Sequence, residues 1–280
     1  WGNGVTSTDA LRLWTQSNFG EDLIFAARGG SLFFWDATDA LTTRGVLLSS
    51  ESGASNVPTK VNTLLVSDNR FVFCFGTTPL GSSDLDPMHL RWSDQENAVN
   101  WTPSSTNQAG DLRLSKGSEI ITAIQARQEI LIWTDSALYA LQYVGAPAVW
   151  AAQTVGENLS VASPNTVAYA NGVAYWMGVG GFYRYDGRVQ TLPCTLKRYI
   201  FNDFNTEQYD QVFAGTNEGF SEIWWFYCSS SATTIDRYVI YNYEQNIWYY
   251  GNMGRTAWID SGIRDFPMAA TYNNNVVNHE

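Results

Sequence analysis

The side chains able to do chemistry are scattered along this chain. Asp84, Asp86, Asp94, Glu96, Asp135 and Asp186 supply carboxylates enough for glycoside hydrolysis, which needs two near one sugar ring. No spacing singles out a pair, and most of these acids sit in turn positions, where Asp bonds its own backbone. Ser93-Asp94 followed by Trp101 approaches the turn pattern Ser-x-Asp-x-Gly-x-x-Trp but lacks its Gly and its register. Asp84-Leu-Asp86 and Asp94-Gln-Glu96 cluster oxygen ligands without the twelve-residue loop, Gly and terminal Glu of a calcium hand. Of the two histidines, His89 and His279, only His89 is placed to act as a base for a nucleophile. No Gly-x-Ser-x-Gly elbow, phosphate-binding loop or dinucleotide fingerprint occurs, and Gly178-Val-Gly180-Gly181 reads as a hairpin turn.

Cys74, Cys194 and Cys228 are too far apart and too few for a disulfide framework, and two histidines give no zinc spacing. Cys74 and Cys228 lie in aromatic strand-like runs and read as small buried hydrophobes. Trp101, Trp150 and Trp258 lie nearer loops than the other rings and are the candidates for stacking on a sugar. Asn100 and Asn158 head glycosylation sequons of the kind that arise by chance in an Asn-rich chain. The sequence therefore assigns no catalytic, cofactor-binding or metal-ligating residue and no cofactor, and the chain reads as a non-enzyme.

The elements around these residues are short runs of Val, Ile, Tyr, Phe and Trp bounded by Gly, Asn, Asp or Ser, which is strand-and-turn chemistry. They fall into packets of four, over about 11–50, 60–115, 119–157, 163–196 and 208–251, with the start of another over 264–280. Four strands in units of roughly 35–55 residues is the mark of a β-propeller. The expected fold is all-β: a propeller of four-stranded antiparallel blades, five clear and part of a sixth, forming a single domain over 1–280. A β-sandwich, the rival, rarely repeats a four-strand unit so many times. The second strand of each packet is the most apolar, as a strand covered on both faces should be. Third strands often end in a ring followed by a short polar residue: Trp35-Asp36, Trp92-Ser93-Asp94, Tyr185-Asp186, Tyr243-Glu244. The ring would pack between blades and the polar residue would start the turn. One helix is expected between Thr195 and Gln208, with Leu196, Tyr199, Ile200 and Phe204 on one face. A start at Trp1 and an unfinished blade at Glu280 mark the chain as a piece of a longer polypeptide, with the remainder of the propeller outside it.

Aromatic residues make up 15 % of the 280, which excludes a disordered chain. Charged residues also make up only 15 %, and 16 basic against 27 acidic side chains leave a net charge of −11. That balance opposes nucleic-acid binding driven by phosphate neutralisation. No apolar run approaches the ~20 residues of a bilayer-spanning helix, so no membrane anchor is expected.

Tyr241-Asn-Tyr-Glu-Gln-Asn-Ile-Trp248 resembles one kelch repeat, but the Gly-Gly doublets that an intracellular kelch adaptor carries in every blade are absent. A broader likeness runs along the chain. Trp14-Thr-Gln-Ser-Asn-Phe-Gly-Glu-Asp-Leu23 with Arg28-Gly-Gly-Ser-Leu-Phe-Phe-Trp-Asp36 resembles the opening blade of tail proteins in short-tailed bacteriophages. Arg91-Trp-Ser-Asp94 followed by Asn100-Trp-Thr-Pro103 is similar to a second stretch in them. The family is the tail nozzle, also called tail tubular protein B, with related phage stabilisation and tail-tip proteins. The resemblance implies a structural virion protein, assembled in the host bacterial cytoplasm into a hexameric ring around the DNA exit channel. Its implied partners are the adaptor and portal-side tail proteins and the tail fibres or spikes, while DNA passes through without specific binding. Nozzle proteins are considerably longer and carry platform domains outside the propeller. The alternative function is a carbohydrate-binding or glycan-cleaving propeller.

Overall fold

The computed structural model describes residues 11–262 and 264–279. The expectation drawn from Trp1 and Glu280 falls outside them. The fold is an all-β propeller: among the described residues there are six antiparallel sheets, each a meander of consecutive strands, five four-stranded and the last three-stranded. The chain divides into two compact units after Arg113.

The first unit holds two sheets. One comprises β1 (Trp14–Phe19), β2 (Asp22–Ala27), β3 (Phe33–Trp35) and β4 (Val46–Leu47). The other comprises β5 (Val61–Val66), β6 (Val72–Thr77), β7 (Asp86–Trp92) and β8 (Gly110–Arg113). The first strand starts at Trp14, where the sequence pattern places it at Leu11, and Leu11 is exposed. Between the sheets, Ile24 and Ala26 of β2 meet Val61, Leu64, Val72 and Cys74, with Trp101 alongside. Hydroxyls on β1 stitch the innermost strands: the Leu64 N–H donates to Thr15 Oγ1 at 3.0 Å, and that of Val66 to Ser17 Oγ at 3.1 Å. The turn after β2 needs Gly29 at φ +76°, a left-handed conformation, and its N–H reaches the Val61 oxygen at 2.7 Å.

The second unit holds four sheets. The first comprises β9 (Ile120–Gln125), β10 (Ile130–Thr134), β11 (Ala137–Gly145) and β12 (Val149–Glu157). Next come β13 (Val167–Ala170), β14 (Val173–Gly178), β15 (Gly181–Tyr185) and β16 (Val189–Leu192). Helix α1 (Lys197–Asn202) and a 3₁₀ segment (Thr206–Gln211) lead to β17 (Phe213–Asn217), β18 (Glu222–Tyr227), β19 (Arg237–Asn242) and β20 (Ile247–Asn252). The last sheet is β21 (Ala257–Ile259), β22 (Met268–Ala270) and β23 (Val276–Asn278). Its first strand lies ahead of residue 264, where strand patterning resumes in the sequence.

The second strands carry the packing. All of β6 and β10, and all but the first residue of β14 and β18, are buried. The aromatic load works between sheets. Trp133 and Trp176 meet edge to face at 5.4 Å, and Phe182 lies 5.0 Å from Trp225 and 4.7 Å from Trp248. Each such pair contributes about 0.5–1.5 kcal/mol beyond its area. Trp225 also donates its indole N–H to the Thr166 oxygen at 2.9 Å, tying β18 to the sheet before it. The helix is shorter than its sequence pattern. Ile200 and Phe204 are buried and Leu196 packs against the same core, while Tyr199 faces outward.

Candidate functional site

Each of the six candidate carboxylates that could form a catalytic pair has a place of its own. Asp86 accepts from Arg113 Nε at 2.6 Å and from the Met88 N–H at 2.9 Å. Burial raises its pKa, and the bonds from Arg113 and Met88 outweigh that, leaving it below the usual carboxylate value. Asp94 Oδ1 accepts from the N–H groups of Gln95 and Gln108 at 3.0 and 2.9 Å, which fixes the turn after β7. Glu96 pairs with Arg70 at 3.0 Å. Asp135 takes the Ser118 N–H at 2.8 Å and its hydroxyl at 2.6 Å, and these bonds overcome the upward push of burial to lower its pKa. Asp186 lies 3.8 Å from Arg184, and Asp84 is exposed in the loop before β7. Apart from Asp84, these acids bond turn backbones or lie beside arginines. Among the described residues, no three His, Cys, Asp or Glu side chains converge to hold a metal ion.

His89 occupies an unusual position for a base. It is 7 % exposed on β7, with Nε2 3.2 Å from Asp111 Oδ2 on β8 and Asp86 nearby. Burial lowers its pKa, and the two carboxylates only partly offset that. Among the described residues, none hydrogen-bonds to its Nε2.

The densest polar construction in the first unit is built around Arg91. Strand β7 carries this guanidinium inward, where it is 3 % exposed. Nη2 donates to the main-chain oxygens of Asn56 and Trp101 at 2.8 and 3.0 Å, and Nη1 to that of Thr78 at 3.4 Å. The loop from Asp94 to Pro103 closes over it: the Asp94 N–H reaches the Asn100 oxygen at 2.8 Å, and Ser55 Oγ donates to Asn100 Oδ1 at 2.8 Å. Ser93 Oγ accepts the Val72 N–H at 3.0 Å. Arg91-Trp-Ser-Asp94 and Asn100-Trp-Thr-Pro103 therefore form one packed unit. Sequence reasoning missed the inward Arg91, since an arginine inside a strand ordinarily reads as an outward charge.

The loop-proximal tryptophans are not free platforms. Trp101 is 1 % exposed and donates its indole N–H to the Ala98 oxygen at 2.8 Å. Trp150 is buried on β12. Trp258 lies in β21, half-buried, bonded to the Thr216 oxygen at 2.7 Å and stacked on Trp224 at 5.3 Å. Cys74 and Cys228 are buried free thiols and Cys194 is half-buried; burial raises all three, Cys194 to about 11 and Cys228 to about 12. Among the described residues, no helix is long and apolar enough to cross a membrane.

No protein-family profile matches the chain, and no curated protein matches it in sequence. Solved structures do. The extracellular domain of a one-component system from B. thetaiotaomicron has a TM-score of 0.57 at 11 % identity, covering 95 % of this chain and 32 % of that one. The WD40 repeats of RRP9 score 0.56 at 7 % identity, covering 96 % and 76 %. BamB from Moraxella catarrhalis scores 0.51 at 13 % identity, covering 95 % and 72 %. The likeness is one of fold. At these identities it extends to the propeller and to nothing these proteins do, and the chain spans about a third of the length of the first.

Proposed function

We propose that this chain is a structural protein of a short-tailed phage virion, a nozzle or tail-tip component that works by assembling. The observation carrying the reading is the outermost strand of the fifth sheet. Strand β20 reads Ile-Trp-Tyr-Tyr-Gly-Asn, with Ile247, Tyr249 and Tyr250 exposed by 44 %, 43 % and 51 % and no charged residue along it. Edge strands that must stay solitary are usually blunted by Lys, Pro or a bulge, and exposed aromatic surface of this kind suits subunit contact. Val46 and Leu47 of β4 give the first sheet a similar uncharged outer strand.

The role of Arg91 supports the same reading. The residues that resemble the nozzle family serve to pack a loop, which fits a protein selected for architecture. In the proposed assembly, copies form a hexameric ring joined to adaptor and portal-side proteins on one side and fibres or spikes on the other. A net charge of −11 would repel phosphate and let DNA slide through the ring. Native mass spectrometry and electron microscopy test this: a hexameric ring is expected. A monomer that binds or cleaves glycans would overturn it in favour of the carbohydrate reading. A channel wall lined mainly by Arg and Lys would sink the sliding argument.

A further inference from the structure

The sixth sheet ends on a contact between two side chains that are both able to be cations. Arg255, in the segment before β21, donates from Nε to His279 Nε2 at 2.8 Å and from Nη1 to the Gly254 oxygen at 2.8 Å. Nε2 must therefore present a lone pair, which makes the ring neutral with its proton on Nδ1. The backbone N–H of the same residue donates to the Pro267 oxygen at 2.7 Å, extending the ladder between β22 and β23. The imidazole lies 4.7 Å from the Trp258 ring and 6.3 Å from that of Trp224. Among the described residues, Arg255 is the charged group that faces it directly. Glu222, on β18, accepts from Trp224 Nε1 at 3.0 Å, so its carboxylate is engaged by that indole.

Strand β23 is three residues long, pairs with β22 through those three residues and is the last of its sheet among the described residues, and Val276 is 64 % exposed. We propose that His279 is an acid-triggered release for β23: a proton on Nε2 turns the acceptor into a donor aimed at a guanidinium, and the two cations separate. The ring's contact with Trp258 favours the cation, but the rings are tilted by 45°. That contact must also compete with a lost hydrogen bond and a like charge at bonding distance. Release would bare the edge of β22, whose Met-Ala-Ala run is apolar and uncharged and could template another strand.

The direction follows from linkage. In the opened strand His279 titrates near the ordinary histidine value of about 6.5. In the closed strand burial first, and then Arg255, hold it lower. Opening is therefore unaffected above about pH 6.5 and grows by up to about tenfold per pH unit below it, until the closed form also protonates.

Hydrogen exchange of the full chain between pH 7.5 and 5, corrected for intrinsic exchange rates, tests the proposal. Protection over 268–279 should fall by that factor, and by more than the protection of β14 does. His279→Asn should flatten the response. A pH-independent wild type, or the same response in His279→Asn, would overturn the proposal. If that variant loses β23 at every pH, the proton NMR titration of His279, assigned with His89→Asn, decides instead. A value below about 6.5 supports the release, and one at or above it overturns it.

Discussion

The guanidinium of Arg91 and the main-chain oxygen of Trp101 are joined at 3.0 Å inside the second sheet, and the same nitrogen holds Asn56. Three segments distant in sequence, around residues 56, 78 and 101, end on one side chain. Its removal strands buried carbonyl groups, each of which is costly to leave unpaired. Arg91→Met should therefore destabilise the protein by about 2–4 kcal/mol. Arg91→Lys, which keeps the charge and loses the fork, should cost less but not vanish. Urea denaturation of the two variants measures both, and a change within ±0.5 kcal/mol for Arg91→Met would refute the role.

Gly215 and Trp258 make a second test of packing. A methyl group at Gly215 would overlap the indole that covers β17. Gly215→Ala should displace Trp258 and cost about 1–3 kcal/mol, the range for overpacking. Trp258 fluorescence should shift toward the red as the ring gains water. Unchanged emission and stability would mean that the sheet adjusts without moving the ring.

How much of this was legible in the sequence depended on how local each feature is. The apolar runs at Phe71–Phe75, Ile130–Trp133 and Ile223–Tyr227 announced second strands because burial on both faces leaves a continuous hydrophobic signal. Turn acids such as Asp94 and Asp135 were readable for the same reason: their partners are backbone groups nearby or in the facing turn. Strand β21 was not, since three residues between Arg255-Thr256 and Asp260-Ser261 are too few to show alternation. Arg91 was also hidden, because its partners are main-chain oxygens that only the folded chain brings together. The sixth sheet's Arg255–His279 contact joins two residues whose types argue against pairing, so no pattern could have suggested it.

The buried histidine of the second sheet has a pH signature. Burial, the largest influence, keeps His89 below the ordinary value in the folded state despite Asp111 and Asp86. The unfolded chain then takes up the proton first. Stability contributed by the neutral ring is complete above about pH 6.5 and declines as pH falls toward the folded value, by at most about 1.4 kcal/mol per pH unit. His89→Gln should reduce the slope of stability between pH 7 and 5.5. An unaltered slope would show that His89 is protonated equally in both states.

The three thiols should separate cleanly by reactivity, since the thiolate is the attacking species. Cys194, half-buried with a pKa near 11, should be labelled slowly at pH 8, and about tenfold faster per pH unit up to that value. Cys74 and Cys228 should remain unlabelled until the protein unfolds. Mass spectrometry after alkylation reads out the sites. Rapid native labelling of Cys74 would contradict its placement between the first two sheets.

The uncharged edge of β20 yields the prediction on which the proposed assembly depends most. Tyr250 leans on Tyr199 of α1 at 4.6 Å, and Ile247 and Tyr249 stand on the strand's other face, so the exposed groups on both sides border one free edge. A charge placed there meets water in a monomer and costs almost nothing. In a subunit contact it must be desolvated without a partner, which costs several kcal/mol per interface. The double variant Ile247→Lys, Tyr249→Lys should therefore keep the far-ultraviolet spectrum and melting temperature of the parent monomer while abolishing higher-order species in native mass spectrometry. Loss of the fold itself would mean that these side chains pack within the sheet. Undisturbed rings would move the subunit contact away from β20.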